Sequence, residues 1–182
     1  TNTAAALIRW AAARFIQLGY PVSGFDAYTT SSVLKGSGLS SSAAFEVLLG
    51  NIINAFFADG AETPVSIAQI GQYAENVFFG KPCGLMDQMA CSLGNVASID
   101  FADPDNPGIR QVSLDLKKAG YALCIIDSGG DHADLTACYA AVPAEMHSIA
   151  RQFGKQVLRQ VPQAEFEAAI PELRKACGDR AV

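Results

Sequence analysis

A glycine- and serine-rich run, GSGLSSSAA, occupies residues 36–44 and limits how the chain around it can fold. A predicted strand at 25–34, rich in β-branched and aromatic residues, precedes the run, and a predicted helix at 42–58 that is apolar on nearly every side follows it. Glycines let a backbone approach a ligand closely, and the amides at a helix N-terminus attract anions. The run therefore predicts a phosphate cradle, although a serine-rich cap on a core helix fits the same residues.

The run differs from the two most familiar phosphate-binding patterns. A Walker A loop requires Gly-Lys-Ser/Thr, which does not follow here, and the dinucleotide fingerprint has its third glycine where Ser41 stands.

A second segment, ENVFFGKPCGLMDQ at 75–88, carries two carboxylates twelve residues apart. Glu75 lies late in a predicted helix that begins near Pro64 with Thr63 as its cap, and Asp87 follows a Pro-Cys-Gly turn. Phosphoryl transfer needs an oxygen ligand for Mg²⁺ and a group that orients the attacking hydroxyl, and two carboxylates beside one phosphate loop would supply both. From the residues alone, a solvated helix glutamate and an ordinary first-turn aspartate remain open.

The runs GSGLSSSAA and GKPCGLMDQMACSLG resemble the GHMP kinases, and the triple serine with the MDQ sequence is similar to the galactokinase branch of that family. The resemblance implies ATP and Mg²⁺ as cofactors, with Mg²⁺ held by Ser42 and Glu75. It makes Asp87 the base or orienting residue for the anomeric hydroxyl of a sugar. The implied ATP-binding residues are Lys35, Gly36, Ser37, Gly38, Leu39, Ser40, Ser41 and Ser42.

The resemblance also implies a set of sugar contacts, made by Cys83, Gly84, Asp87 and Tyr139. A third segment, DSGGDH at 127–132, follows an apolar run as its counterpart in the family does. It departs from the family pattern, which often has Asn and Arg where Asp127 and Asp131 stand. His132 fits a structural loop histidine as well as a functional one.

The mixture of elements predicts an α+β fold, without internal repeats or a regular βαβ series. The resemblance makes residues 1–135 the GHMP kinase N-terminal lobe, a mixed sheet with helices on one side that is similar to the second domain of ribosomal protein S5. Residues 136–182 would be a helical segment leading into a C-terminal lobe. The remaining predicted elements are helices at 3–18 and 85–91, strands at 96–101 and 121–127, and an apolar face of Ile67, Ile70, Ala74 and Val77 on the helix that begins near Pro64.

Composition excludes several classes of protein. Half of the residues are hydrophobic and 17% are charged, which excludes a disordered chain. The net charge of −5 argues against a general nucleic-acid binder, and no apolar run reaches the length of a membrane span. Five cysteines without CxxC spacing predict reduced thiols in a cytoplasmic protein. The family resemblance implies that its partners are a sugar and ATP.

Two motifs of the family do not occur within the 182 residues: the GRVNLIGEHTDY-type motif and the C-terminal glycine-rich motif. We therefore expect a central fragment of a sugar kinase that is inactive by itself. Two alternatives remain open, a non-catalytic sensor of sugar and ATP and a mevalonate- or homoserine-type kinase. The MDQ sequence and the triple serine count against the second.

Overall fold

The computed structural model describes residues 3–33, 38–78, 80, 83–126 and 136–182. The chain forms two compact units, one of Thr1–Ala97 with Gln111–Ala133 and one of Ser98–Arg110 with Asp134–Val182. The predicted division at residue 135 stays a prediction. No helix within the described ranges is long and apolar enough to cross a membrane.

The described part of the first unit contains four α-helices: α1 (Ala4–Gln17), α2 (Ser41–Phe57), α3 (Pro64–Tyr73) and α4 (Met86–Leu93). All four were predicted, and their ends follow local signals. The Thr3 hydroxyl caps α1 by accepting from the amide of Ala6 at 3.3 Å. The Thr63 hydroxyl caps α3 by accepting from the amide of Ser66 at 3.2 Å, with Pro64 as the first helical residue.

The core of this unit lies where α1, α2 and α3 meet. Its buried members are Ala11, Phe15, Leu49, Ile53, Ala58 and Ile70. Helix α2 packs closely on α3 at Gly50, where a Cβ atom would lie 2.7 Å from the Cγ2 atom of Ile67. The absence of a side chain at residue 50 therefore sets the spacing of these two helices.

Two of the predicted strands are wrong over the residues that the structure describes. Neither 25–33 nor 121–126 has regular secondary structure, and the last residue of each prediction lies outside the described ranges. A strand needs a partner to complete its backbone hydrogen bonds, and the described residues place none beside these segments. Phe25 packs instead against Phe57, with ring centroids 6.1 Å apart.

The predicted strand at 96–101 is confirmed as β1 (Val96–Asp100). It pairs with β2 (Gly108–Val112), which the sequence pattern did not reveal, across the loop DPDNPG. Among the described residues the sheet is this one antiparallel pair. The wider S5-like sheet stays a prediction.

The second unit contains α5 (Thr136–Gln152), a short 3₁₀ turn (Leu158–Gln160) and α6 (Gln163–Cys177). The helical pattern predicted from residue 136 onward is confirmed. Pro143 and Pro171 both lie inside these helices. An ion pair ties the 3₁₀ turn to β1, with Arg159 Nη2 2.8 Å from Asp100 Oδ2.

Candidate functional site

The N-terminus of α2 carries the described part of the glycine–serine run. Gly38 and Ser40 have positive φ angles of 73° and 53°, so the chain turns sharply before it enters the helix. The Ser40 side chain makes no capping bond to its own helix. The first amides of a helix have no partner inside the helix, so those of α2 are free to donate hydrogen bonds to a bound anion. Lys35, Gly36 and Ser37 lie outside the described residues.

The Ser40 hydroxyl donates a hydrogen bond to Oδ2 of Asp87. Asp87 lies in the first turn of α4 and is exposed to solvent. The two predicted motifs, 47 residues apart in sequence, therefore meet at this contact. The carboxylate stands beside the predicted phosphate cradle, where a substrate can reach it.

Glu75 has a different environment. It lies in a π-helical turn (Ala74–Phe78) that continues α3, and its side chain is only 3% exposed. Its Oε2 atom accepts a hydrogen bond from Nε2 of Gln88 at 3.1 Å. Glu75 is therefore not a solvated helix residue, the alternative that the sequence left open.

Gln88 has a second carboxylate partner that the sequence reasoning missed. Its Nε2 atom also donates to Oε2 of Glu46 at 3.1 Å, and Glu46 in α2 is only 2% exposed. Gln88 itself is 1% exposed. One amide group thus joins two buried carboxylates on two different elements. A glutamate inside an otherwise apolar helix was the available sequence signal for Glu46.

The turn that carries Cys83 is held by two amide side chains. The Cys83 amide donates to Oδ1 of Asn76 at 2.7 Å, and Nδ2 of Asn76 donates back to the Cys83 carbonyl at 3.2 Å. Nε2 of Gln72 donates to the same carbonyl at 3.3 Å. Burial, with a hydrogen bond to Glu75, raises the pKa of the Cys83 thiol far above its ordinary value. The thiol therefore stays protonated at neutral pH.

The remaining predicted site residues are placed as follows. Ser41 and Ser42 are half-buried in the first turn of α2, while Leu39 and Gly84 are exposed. Tyr139 lies in α5, in the second unit, and its side chain is not among those described. Asp127, Asp131 and His132 lie outside the described residues.

The residues present at this site suit Mg²⁺ bound together with a nucleotide. Serine hydroxyls and carboxylates are hard oxygen ligands of the kind that Mg²⁺ prefers. Within the described ranges no cluster of three or more His, Cys, Asp or Glu side chains could hold a metal by itself. Nucleotide-bound Mg²⁺ needs no such cluster, since one or two protein ligands are completed by phosphates and water.

Comparison with known proteins finds relatives that share much of this chain. Residues 6–95 match the family described as the GHMP kinases N terminal domain. The galactokinase of Streptomyces coelicolor is 34% identical over 157 residues, which cover 86% of this chain and 40% of that protein. Human galactokinase is 35% identical over 149 residues, which cover 82% of this chain and 37% of that protein.

The chain belongs to the GHMP kinase family. Within that family, a third galactokinase, from Glaesserella parasuis, is 34% identical over 167 residues, which cover 89% of this chain and 42% of that protein. The chain spans about two fifths of the length of the galactokinases that it matches.

Proposed function

We propose that this chain is part of an ATP-dependent kinase that phosphorylates the anomeric hydroxyl of galactose, or of a close relative, in galactose metabolism. The observation that carries the proposal is the hydrogen bond from Ser40 to Asp87. It brings a carboxylate to the helix N-terminus at which the phosphates of ATP would lie. The names of the matched relatives supply the substrate class.

Each residue at this site then has a role in positioning. The backbone amides of the loop at 35–42 hold the phosphates, and Ser42 and Glu75 hold Mg²⁺. When bound, Mg²⁺ neutralises charge on the transferring phosphoryl group. Asp87 orients the sugar hydroxyl and takes its proton, a role that its exposed position allows.

The sugar would be held at the turn of Cys83 and Gly84. The family resemblance is our sole ground for proposing Tyr139 as a sugar contact. Because Asn76 fixes both backbone groups of Cys83, that turn is a rigid platform on which a sugar could be oriented. We also propose that residues 1–135 form the S5-like N-terminal lobe and that residues 136–182 form helices that lead into a C-terminal lobe. All five cysteines are free thiols, which suits the reducing cytoplasm that we propose for the protein.

We propose this activity for a full-length kinase of which this chain would be one part, because the chain matches only about two fifths of each relative. For the 182 residues alone we expect no sugar turnover, since in the family the sugar-gripping residues belong to the GRVNLIGEHTDY-type motif. Loss of such positioning removes several kcal/mol of barrier lowering.

The test is the substitution Asp87→Ala in a kinase that contains this chain, assayed with ATP and galactose. We expect kcat to fall at least about a hundredfold, the lower end of a general acid–base contribution, with little change in ATP affinity. Asp103→Ala, which removes another exposed aspartate, is the matched control. If Asp87→Ala retains most of its turnover, Asp87 is an ordinary first-turn residue. If the unmodified kinase binds galactose and ATP without turnover, the protein is a sensor.

A further inference from the structure

We propose that Gln88 is a positioning residue: its buried side-chain amide holds Glu75 in the orientation in which Glu75 binds Mg²⁺. This inference rests on the proposed function, because it takes Glu75 as a magnesium ligand. Gln88 lies next to the exposed Asp87 in the first turn of α4, but it is only 1% exposed.

The side-chain amide of Gln88 lies between two buried carboxylates that would otherwise repel each other. Its Nε2 atom lies 3.1 Å from Oε2 of Glu75 and 3.1 Å from Oε2 of Glu46, so these two oxygens are held near each other away from water. Two carboxylates repel strongly in an environment that screens charge poorly. The two N–H groups of one amide can satisfy both, because each donates to a different carboxylate.

The amide orientation follows from the same contacts. Turning the amide around would bring Oε1 of Gln88 against two carboxylate oxygens and would leave both of them without this donor. In the observed orientation Oε1 is buried without a hydrogen-bond partner among the described residues. An unsatisfied buried carbonyl costs about 1–3 kcal/mol, less than two buried carboxylates that have lost a donor.

Three elements are joined through this one side chain. Glu46 is on α2, whose N-terminus forms the phosphate cradle, Glu75 is on the π-helical turn, and Gln88 follows Asp87 on α4. Gly71 leaves room for the cluster, since a Cβ atom there would lie 3.3 Å from Cβ of Glu46 and 3.5 Å from Cγ of Gln88. Gln88 therefore ties the orientation of the proposed metal ligand to the two helices that carry the reacting groups.

The experiment measures ATP affinity by isothermal titration, with Mg²⁺ and with EDTA, for the full chain and its variants. The quantity of interest is the ATP affinity with Mg²⁺ divided by the ATP affinity in EDTA, which we call the magnesium ratio. Gln88→Met keeps the length and removes the donor, and Gln88→Asn keeps an amide but withdraws it by one methylene. We expect both substitutions to lower the ratio about 10- to 100-fold, as loss of a group that orients a metal ligand does. Affinity in EDTA should stay within about twofold of the unmodified chain, because Gln88 does not contact the phosphates in this proposal.

A matched control separates positioning from general stability. Asn54 is also a buried amide of the first unit, near the other end of α2, where it pairs with the backbone of Glu62. Asn54→Leu should also lower the melting temperature, because it leaves both of these backbone groups unpaired. It should leave the magnesium ratio unchanged.

Glu75→Gln distinguishes the magnesium role of Glu75 from the positioning role of Gln88. A reduced ratio in Glu75→Gln with unchanged ratios in both Gln88 variants would reject the positioning role and leave the magnesium site standing. An unchanged ratio in Glu75→Gln, or no gain from Mg²⁺ in the unmodified chain, would reject the magnesium role of Glu75 and this inference with it. If Gln88→Met does not fold, Gln88→Asn alone decides the outcome.

Discussion

Buried and half-buried polar residues in the first unit are hydrogen-bonded across the turn between α2 and α3 and to the end of α1. Asn54 donates to the Glu62 carbonyl and accepts from the Glu62 amide, each at 3.0 Å. The Tyr20 hydroxyl, beside the apolar core, donates to Oε1 of Glu62 at 2.7 Å. These bonds fix the turn between α2 and α3 against the end of α1, and none of them follows from local sequence rules.

The Tyr20 bond predicts a dependence of stability on pH. The hydrogen bond to Glu62, with burial, raises the pKa of Tyr20 above its ordinary value of 10.0. The folded chain therefore retains a proton that the unfolded chain releases. The stabilisation is complete below pH 10 and is lost as pH rises through the folded-state pKa.

We expect the free energy of unfolding in urea to fall more steeply between pH 9 and 11 for the unmodified chain than for Tyr20→Phe, which cannot ionise. Tyr28→Phe is the control, because the Tyr28 side chain is 93% exposed. Parallel pH profiles for Tyr20→Phe and the unmodified chain would contradict this prediction.

At the scale of elements, the π-helical turn changes which side chains face the core. Ile67, Ile70 and Ala74 are buried as the helical spacing predicted, but Val77 is 55% exposed, so that part of the predicted apolar face is wrong. The wider turn at Ala74–Phe78 breaks the 3.6-residue period. It places Glu75 inside and Val77 outside, which periodicity alone cannot anticipate.

Packing of α2 on α3 gives a prediction for Gly50. A Cβ atom at residue 50 would overlap Cγ2 of Ile67, and overpacking of this kind costs about 1–3 kcal/mol. Alanine gains up to about 1 kcal/mol in helix propensity over glycine. Gly50→Ala should therefore lower the free energy of unfolding by up to about 2 kcal/mol, as measured by denaturant titration.

Two further variants test the cause of that loss. Gly24→Ala should be nearly neutral, because no atom lies within 4 Å of its added Cβ. Adding Gly50→Ala to Ile67→Ala should cost less than adding it to the unmodified chain, since the clashing atom is then absent. Additive losses would show that the contact with Ile67 is not the cause.

At the scale of the whole molecule, one apolar segment remains uncovered among the described residues. We call residues 121–126 the apolar segment; in it Tyr121, Leu123, Ile125 and Ile126 are 63–87% exposed. The segment belongs to the strand predicted at 121–127, and none of the residues that the structure describes pairs with it. Exposed apolar chain without regular pairing favours association between molecules.

We expect the 182-residue chain to self-associate, and the double substitution Leu123→Lys with Ile126→Lys to raise the midpoint concentration of association at least about tenfold. Burying one such side chain contributes about 1.5–3 kcal/mol, and 1.4 kcal/mol corresponds to a factor of ten. Size-exclusion chromatography with light scattering over a concentration series measures the effect. Ile16→Lys, on exposed α1 surface, is the control. An equal effect of Ile16→Lys would show that added charge, and not the segment, is responsible.

The sequence by itself determined the helices of the first unit and the two motifs of the proposed site. Caps such as Thr3 and Thr63, and apolar residues spaced by three and four, act within a few residues, so they can be read from the chain. The motif strings at 36–44 and 75–88 were sufficient to identify the family that the comparisons then confirmed.

Only the tertiary structure decided which predicted strands have a partner and which side chains meet. A strand forms through hydrogen bonds to another segment, so 96–100 pairs while 25–33 and 121–126 do not. The contacts of Asp87 with Ser40 and of Gln88 with Glu46 join residues more than forty positions apart. No local rule contains such contacts, because they depend on how α2 and α4 pack, and packing is decided by the whole core at once.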